Sequence, residues 1–212
     1  MKFDDNNCDK AFHNGYQIDA CSQGKNQDPI LVQVNMKHFA TVLLTLTLFG
    51  CAMSQWVNDL DGTLDFNCPF GETISRVQSI HDNDSEDRLW AFECKPIPID
   101  SSDLTCQNSG YVNDFDEEIT FNCPFNGVIS GTHSEHSNHD EDRRWDFKCC
   151  EALNYCTTNC YFTPEVNDYD GPMDYTVDTD YYISGVASHH DNGKEDRRWR
   201  FFVCKVITCG AN

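Results

Sequence analysis

The sequence predicts an all-β fold: one compact, disulfide-stapled domain of three pseudo-equivalent repeats with approximate threefold symmetry. Three observations predict it. One motif recurs three times, as EDRLWAF (86–92), EDRRWDF (141–147) and EDRRWRF (195–201). The runs around it, such as LDFNCPF, ETISRVQSI and RLWAFEC, alternate apolar and polar residues between Gly, Pro, Asn and Asp, and no stretch after residue 55 keeps a helical period. Thirteen cysteines among 212 residues point to an oxidising compartment in which disulfides close.

From the N-terminus, residues 1–35 read as a non-native upstream extension or disordered leader. The stretch MKHFATVLLTLTLFGCAMS (36–54) has the basic start, apolar run and small residues of a cleaved signal peptide, so Met36 is the expected start. A signal-anchor is the rival reading, but the apolar run is short of the ~20 residues that cross a bilayer. Cleavage would remove Cys8, Cys21 and Cys51 and leave ten cysteines, an even number that can pair completely. The mature chain, 55–212, carries 11 basic and 30 acidic residues, a net charge of -19. Such a field repels nucleic acid and favours cations, basic proteins and solubility.

The repeats span 56–94, 111–150 and 165–204. Each opens 34 residues before its tryptophan, one residue ahead of V-N-D-x-D (Val57–Asp61, Val112–Asp116, Val166–Asp170), and insertions are confined to connectors at 95–110 and 150–164. The second signature, S-x-H-x-N-x-x-E-D-R-x-W-x-F, runs Ser79–Phe92, Ser134–Phe147 and Ser188–Phe201.

Within that signature Asp87, Arg88 and Trp90, with Asp142, Arg143 and Trp145, and Asp196, Arg197 and Trp199, read as structural. On a strand Arg88 shares a face with Trp90, Phe92 and Cys94, whereas Asp87 faces away. Each arginine would pack its stem on the core and pair with a carboxylate; Asp59, Asp114 and Asp168, each 29 residues earlier, are candidates. The polar part is the candidate ligand site: Ser79, His81, Asn83 and Glu86; Ser134, His136, Asn138 and Glu141; Ser188, His190, Asn192 and Glu195. Mixed donors and acceptors beside aromatic rings suit sugar hydroxyls, while the plainer reading is a loop that hydrogen-bonds its own backbone. Asn83-Asp84-Ser85 is an N-glycosylation sequon, and a glycan there would obstruct the first loop. The acidic loops lack the spacing of a calcium loop, so no metal or cofactor is expected. A Ser/His/Asp set that is local and triplicated is unlike a single supported catalytic constellation, so no catalytic residue is assigned. Repetition favours adhesion, because equivalent weak sites raise avidity.

Cys68 and Cys94 are 26 apart, and Cys123 and Cys149 repeat that interval, whereas the third repeat has Val177 at the first position and Cys204 opposite Cys150. The adjacent Cys149 and Cys150 point to opposite strand faces and so meet different partners, though spacing does not choose among all pairings.

The triplicated D-R-x-W-x-F context, NCP in the first two repeats, the Cys149-Cys150 doublet, the DYY run at 180–182 and a terminal C-x4-C resemble the dermatopontin (tyrosine-rich acidic matrix protein) family over Gln55–Asn212. The resemblance implies a secreted, non-enzymatic matrix protein that associates with collagen, proteoglycans and cell surfaces; some invertebrate members agglutinate blood cells. It implies disulfides Cys68–Cys94, Cys106–Cys149, Cys123–Cys150, Cys156–Cys209 and Cys160–Cys204, and it marks Tyr169, Tyr175 and Tyr181, set among aspartates, as resembling sulfated tyrosines. The chain departs from vertebrate members in lacking a tyrosine-rich N-terminal segment and an RGD.

The expected function is therefore adhesion in the extracellular matrix through lectin-like binding of glycans or glycosaminoglycans by the Ser-His-Asn loops, with oligomerisation open. An acidic, mineral- or cation-associated matrix protein is the alternative, and a hydrolase ranks last. Trp145→Ala is expected to disrupt folding, seen as loss of the cooperative thermal transition. Replacing His81, His136 and His190 together by Ala is expected to leave a folded protein that agglutinates cells more weakly.

Overall fold

The computed structural model describes residues 8–13 and 16–21, in backbone only, and residues 56–209. The first segments are strands β1 (Cys8–His13) and β2 (Tyr16–Cys21), an antiparallel pair in a unit separate from the main body. The expected signal segment 36–54 and its expected cleavage site lie outside the described residues.

Residues 56–209 are almost entirely strand and turn. The first repeat supplies β3 (Leu64–Asn67), β4 (Glu72–Asp82) and β5 (Asp87–Pro96). After β6 (Thr105–Tyr111), the second supplies β7 (Ile119–Asn122), β8 (Val128–Ser137) and β9 (Asp142–Glu151). After β10 (Tyr155–Phe162), the third supplies β11 (Met173–Thr176), β12 (Tyr182–Asp191) and β13 (Asp196–Thr208). Each repeat holds three, and the connectors add β6 beside β9 and β10 beside β13.

No repeat completes a sheet by itself. The short strand β3 of the first repeat pairs with β8 of the second, β7 of the second pairs with β12 of the third, and β11 of the third pairs with β4 of the first. The three units are thus joined in a closed ring of backbone hydrogen bonds. In this ring Leu64 lies opposite Ser134, Ile119 opposite Ser188, and Met173 opposite Ser79. Each long hairpin carries a bulge at Ser75, Ser130 or Ser184, where the register shifts. Just beyond two of the bulges stand Gly131 and Gly185, where a Cβ would press on the neighbouring repeat: on Asn67 and Phe66 at the first, on Asn122 and Phe121 at the second.

The apolar faces of the three hairpins meet at the centre. Trp90, Trp145 and Trp199, each no more than 3% exposed, contact one another edge to face with ring centroids 4.9, 4.9 and 5.6 Å apart, a favoured aromatic geometry. Around them pack Leu64, Ile74, Val77, Ile119, Phe147, Met173, Val186 and Phe201. Truncating one tryptophan would open a void bordered by the other two.

Among the described residues five disulfides staple the fold: Cys68–Cys94, Cys106–Cys150, Cys123–Cys149, Cys156–Cys209 and Cys160–Cys204. Two of the pairings implied by resemblance are exchanged: Cys106 joins Cys150 rather than Cys149, and Cys123 joins Cys149 rather than Cys150. Strand alternation supplies the reason. Cys149 shares the inward face of β9 with Trp145 and Phe147 and meets Cys123 in the central core. Cys150 points outward, directly opposite Cys106 across the β6–β9 ladder, within a second cluster formed by Leu104, Val128 and Tyr182. In the third repeat Val177 and the fully buried Val203 fill the place of the inner bridge.

Two outcomes follow from this packing. Trp145→Ala should cost about 3–5 kcal/mol, read from chemical denaturation with the disulfides intact. Non-reducing peptide mapping should recover Cys106 linked to Cys150 and Cys123 linked to Cys149; the opposite linkage would place the doublet on the wrong strand faces.

Candidate functional site

The two repeated signatures lock into one another. In each repeat the buried asparagine of V-N-D-x-D, which is Asn58, Asn113 or Asn167, accepts the backbone N–H of the tryptophan and donates to the carbonyl of the arginine two places earlier, all at 2.8–3.0 Å. The valine before it donates its N–H to the tryptophan carbonyl. The side-chain amide thus extends the ladder along the free edge of β5, β9 and β13. The last aspartate of the motif, Asp61, Asp116 or Asp170, adopts a left-handed backbone (φ 58–62°) and turns its N–H onto the carboxylate of Asp87, Asp142 or Asp196 at 2.9 Å.

That buried carboxylate is the partner of an arginine from the next repeat. Arg143 grips Asp87 through two hydrogen bonds of 2.6 Å, Arg197 grips Asp142 in the same way, and Arg88 grips Asp196 at 2.6 and 2.7 Å. Each guanidinium also donates to a turn carbonyl of that neighbouring repeat, at Gly62, Glu117 or Gly171. The expected partners Asp59, Asp114 and Asp168 are instead exposed. Nor does Asp87 face solvent: it is 4% exposed, because the strand face opposite Arg88 is covered by the adjoining repeat.

The Ser-His-Asn-Glu residues divide into two groups. Ser79, Ser134 and Ser188 are at most 5% exposed, each wedged in register between a tryptophan and a large apolar residue of the neighbouring repeat. They are small because that gap is narrow. The side chains of His81, His136 and His190 are 1% exposed, on strands opposite Arg88, Arg143 and Arg197. The expectation that serine and histidine sit in a solvated loop is thus corrected. The inward period of β4, β8 and β12 continues two residues further than polarity suggests, so both belong to the interior.

Asn83, Asn138 and Asn192 are exposed in the hairpin turns, and Glu86, Glu141 and Glu195 are half-buried with left-handed backbones (φ 45–47°). These glutamates, the histidines His81 and His136, the buried Arg–Asp pairs and the tryptophans line one cavity of ≈ 30 Å³ at the centre of the ring. Burial pushes the Glu195 carboxyl above the usual range; His190 opposes the shift, and Asp116, Glu141 and Glu86 reinforce it. The three turns therefore converge.

Among the remaining expectations, Asn83 accepts a hydrogen bond from His81 at 2.9 Å while remaining exposed. Tyr175 is stacked on Phe201, and burial raises its hydroxyl to about 12. Asp61, Asp116 and Asp170 were not singled out from the sequence, although their presence in every copy of the first motif was the available signal. Each approaches a histidine or buried carboxylate of the ring: Asp61 with Asp87 and His136, Asp116 with Asp142 and His190, Asp170 with Asp196 and His81. A second feature lies on the outer surface of two repeats. Arg144 covers the Tyr111 ring and pairs with Glu135, and Arg198 covers Tyr169 and pairs with Glu165. The corresponding positions of the first repeat are Trp56, Leu60, Ile80 and Leu89.

Replacing His81, His136 and His190 together by Ala is now expected to lower the melting temperature measurably, because three buried rings are lost. Breaking one cross-repeat pair by Asp87→Asn should cost about 3–5 kcal/mol in chemical denaturation, since Arg143 is left buried without its counter-charge.

The chain is 45% identical over 156 residues to the hemagglutinin/amebocyte aggregation factor of Limulus polyphemus, covering 73% of this chain and 89% of that protein. It is 43% identical over 141 residues to the dermatopontin of Biomphalaria glabrata (66% and 93% covered) and 30% identical over 154 residues to that of Homo sapiens (71% and 77% covered). No solved structure matches significantly. The dermatopontin family model matches residues 58–209, a span that contains every strand and disulfide of the ring, and the chain belongs to the dermatopontin family.

Proposed function

We propose that this chain is a secreted, non-enzymatic protein of the extracellular matrix that adheres to cell-surface or matrix glycans through the hairpin-turn end of its ring. Convergence of the three turns carries the reading. Asn83, Asn138 and Asn192 on the outside, with Glu86, Glu141 and Glu195 within, form a polar rim written three times and supported from below by buried charge pairs. Amide and carboxylate groups on a rigid frame are suited to sugar hydroxyls. The central cavity is too small to enclose a sugar ring, so recognition takes place across the rim.

The relatives' names support the coarser part of this reading, since one is a hemagglutinin and aggregation factor and others are dermatopontins. Five disulfides suit an oxidising exterior, and no helix among the described residues is long and apolar enough to cross a membrane. A serine nucleophile is disfavoured, because Ser79, Ser134 and Ser188 are packed beneath the tryptophans. With a net charge of -20, neutral glycans are favoured over sulfated glycosaminoglycans, and proteoglycan or collagen contact would fall to local basic spots such as Arg144 and Arg198. A glycan on Asn83 would cover one third of the rim.

The three turns face one side, so a single copy engages one surface with avidity, and bridging two cells calls for a second copy. The decisive variant is Glu86→Gln/Glu141→Gln/Glu195→Gln, which removes rim charge without changing side-chain size. It should keep the wild-type thermal transition within a few degrees and lose most glycan-array signal and agglutination titre. A folded triple variant that binds and agglutinates as well as wild type would overturn the reading.

A further inference from the structure

We propose that two of the seams between repeats are binding sites for a first-row divalent cation of the zinc class, each built from one imidazole and two carboxylates. At the seam between the first and second repeats the donors are His136, Asp61 and Asp87; at the seam between the second and third they are His190, Asp116 and Asp142. In each set one ligand atom per residue lies within 4.8 Å of the others.

The histidines point to a ligand beyond the protein. Their side chains are 1% exposed, and neither ring nitrogen of His136 or His190 has a hydrogen-bond partner. A buried, unpaired imidazole beside two carboxylates is a costly arrangement unless something lies between them. The separations from the outer carboxylates suit an ion, while the inner ones stand farther off, His190 Nε2 being 4.0 Å from Asp142 Oδ1. His136 Nδ1 is 3.6 Å from Asp61 Oδ1 and His190 Nδ1 is 3.4 Å from Asp116 Oδ1. A tetrahedral zinc with ordinary Zn–N and Zn–O bonds would hold its nitrogen and oxygen about 3.4 Å apart.

Charge and valence are compatible. Asp87 Oδ1 accepts only Arg143 Nε, which leaves it a lone pair, and the same holds for Asp142 Oδ1 with Arg197 Nε. Two carboxylates against one guanidinium leave each seam net negative. Asp61 and Asp116 have side chains 39% exposed, so an ion can enter from solvent and keep water as a further ligand. Asn138 donates to Asp61 Oδ2 at 3.0 Å and steadies that carboxylate from outside. A single imidazole with few oxygens favours zinc-class ions over calcium, which takes six to eight oxygen ligands. The third seam is a poorer site, because Lys194 Nζ already pairs with Asp170 Oδ2 at 3.1 Å and brings a positive charge to the donor set.

The proposal departs from the sequence expectation of no metal, and it is independent of the glycan reading. It is tested on the full chain with disulfides intact and free thiols alkylated, so that unpaired cysteines contribute no sites. Titration with zinc chloride, followed by calorimetry and by metal analysis after dialysis, should show two equivalents bound and a melting temperature that rises and is reversed by chelator. Asp61→Asn should remove one equivalent, and Asp61→Asn/Asp116→Asn both, with affinity at the altered seams falling at least about tenfold. Asparagine is isosteric and tolerates the left-handed backbone at both positions, so the metal-free variants should melt with the wild type. Calcium chloride at the same concentration should bind at neither seam. No uptake by the alkylated protein, or uptake unchanged in the double variant, would overturn the assignment.

Discussion

Each arginine of the triplicated motif reaches out of its own repeat to the carboxylate of the one before it, and the third link returns to the first, so that Arg143–Asp87, Arg197–Asp142 and Arg88–Asp196 close a circle. The rest of the structure is arranged around that circle. Below it lie the tryptophans, whose edge-to-face contacts exclude water and keep the ion pairs in a medium where loss of one partner is severe. Beside it the V-N-D-x-D turns satisfy the backbone of the arginine strand and give one oxygen of each aspartate a further donor. Above it stand the histidines and the rim glutamates. A buried charge pair contributes little to stability over an apolar substitute, but it tolerates no other partner geometry, and here it dictates which repeat sits next to which.

The backbone enforces the same order. Every repeat lends its first short strand to the next hairpin, so a repeat alone would leave both a sheet edge and an ionic partner unmet. Folding of the ring is therefore an all-or-none matter for the three units. The disulfides mostly act within or just outside a repeat: the inner bridges tie short strand to hairpin, and the outer bridges tie connector strands to β9 and β13. Covalent staples hold the units, and hydrogen bonds and ion pairs hold the ring.

This division of labour leaves one end of the molecule for function. Residues up to the histidine serve packing, and only the turn residues beyond it are presented outward. A rim repeated three times over a rigid base has little conformational entropy to lose when it engages a surface, which is the property an adhesion protein requires. The same seams that carry the ion pairs also gather imidazole and carboxylate groups, so the proposed recognition at the rim and the proposed cation binding at the seams rest on neighbouring parts of one frame.

The sequence by itself determined the β class, the triplication of the motif, the abundance of cysteines, the family and the interior place of Arg-x-Trp, because alternation, cysteine density and repetition are local properties of the chain. It also showed that Cys149 and Cys150 face opposite ways. Three matters were decided only by tertiary structure. The arginine's partner comes from the neighbouring repeat, 56 or 55 residues away and 108 for the pair that closes the ring, rather than from Asp59, Asp114 or Asp168, because a ring places equivalent positions of adjacent repeats side by side. Cys149 meets Cys123, because the central core lies on the tryptophan side of β9. Ser79 and His81 lie inside although their letters are polar, because whether a hairpin end is solvated depends on what another repeat lays across it, and no window along one strand contains that information.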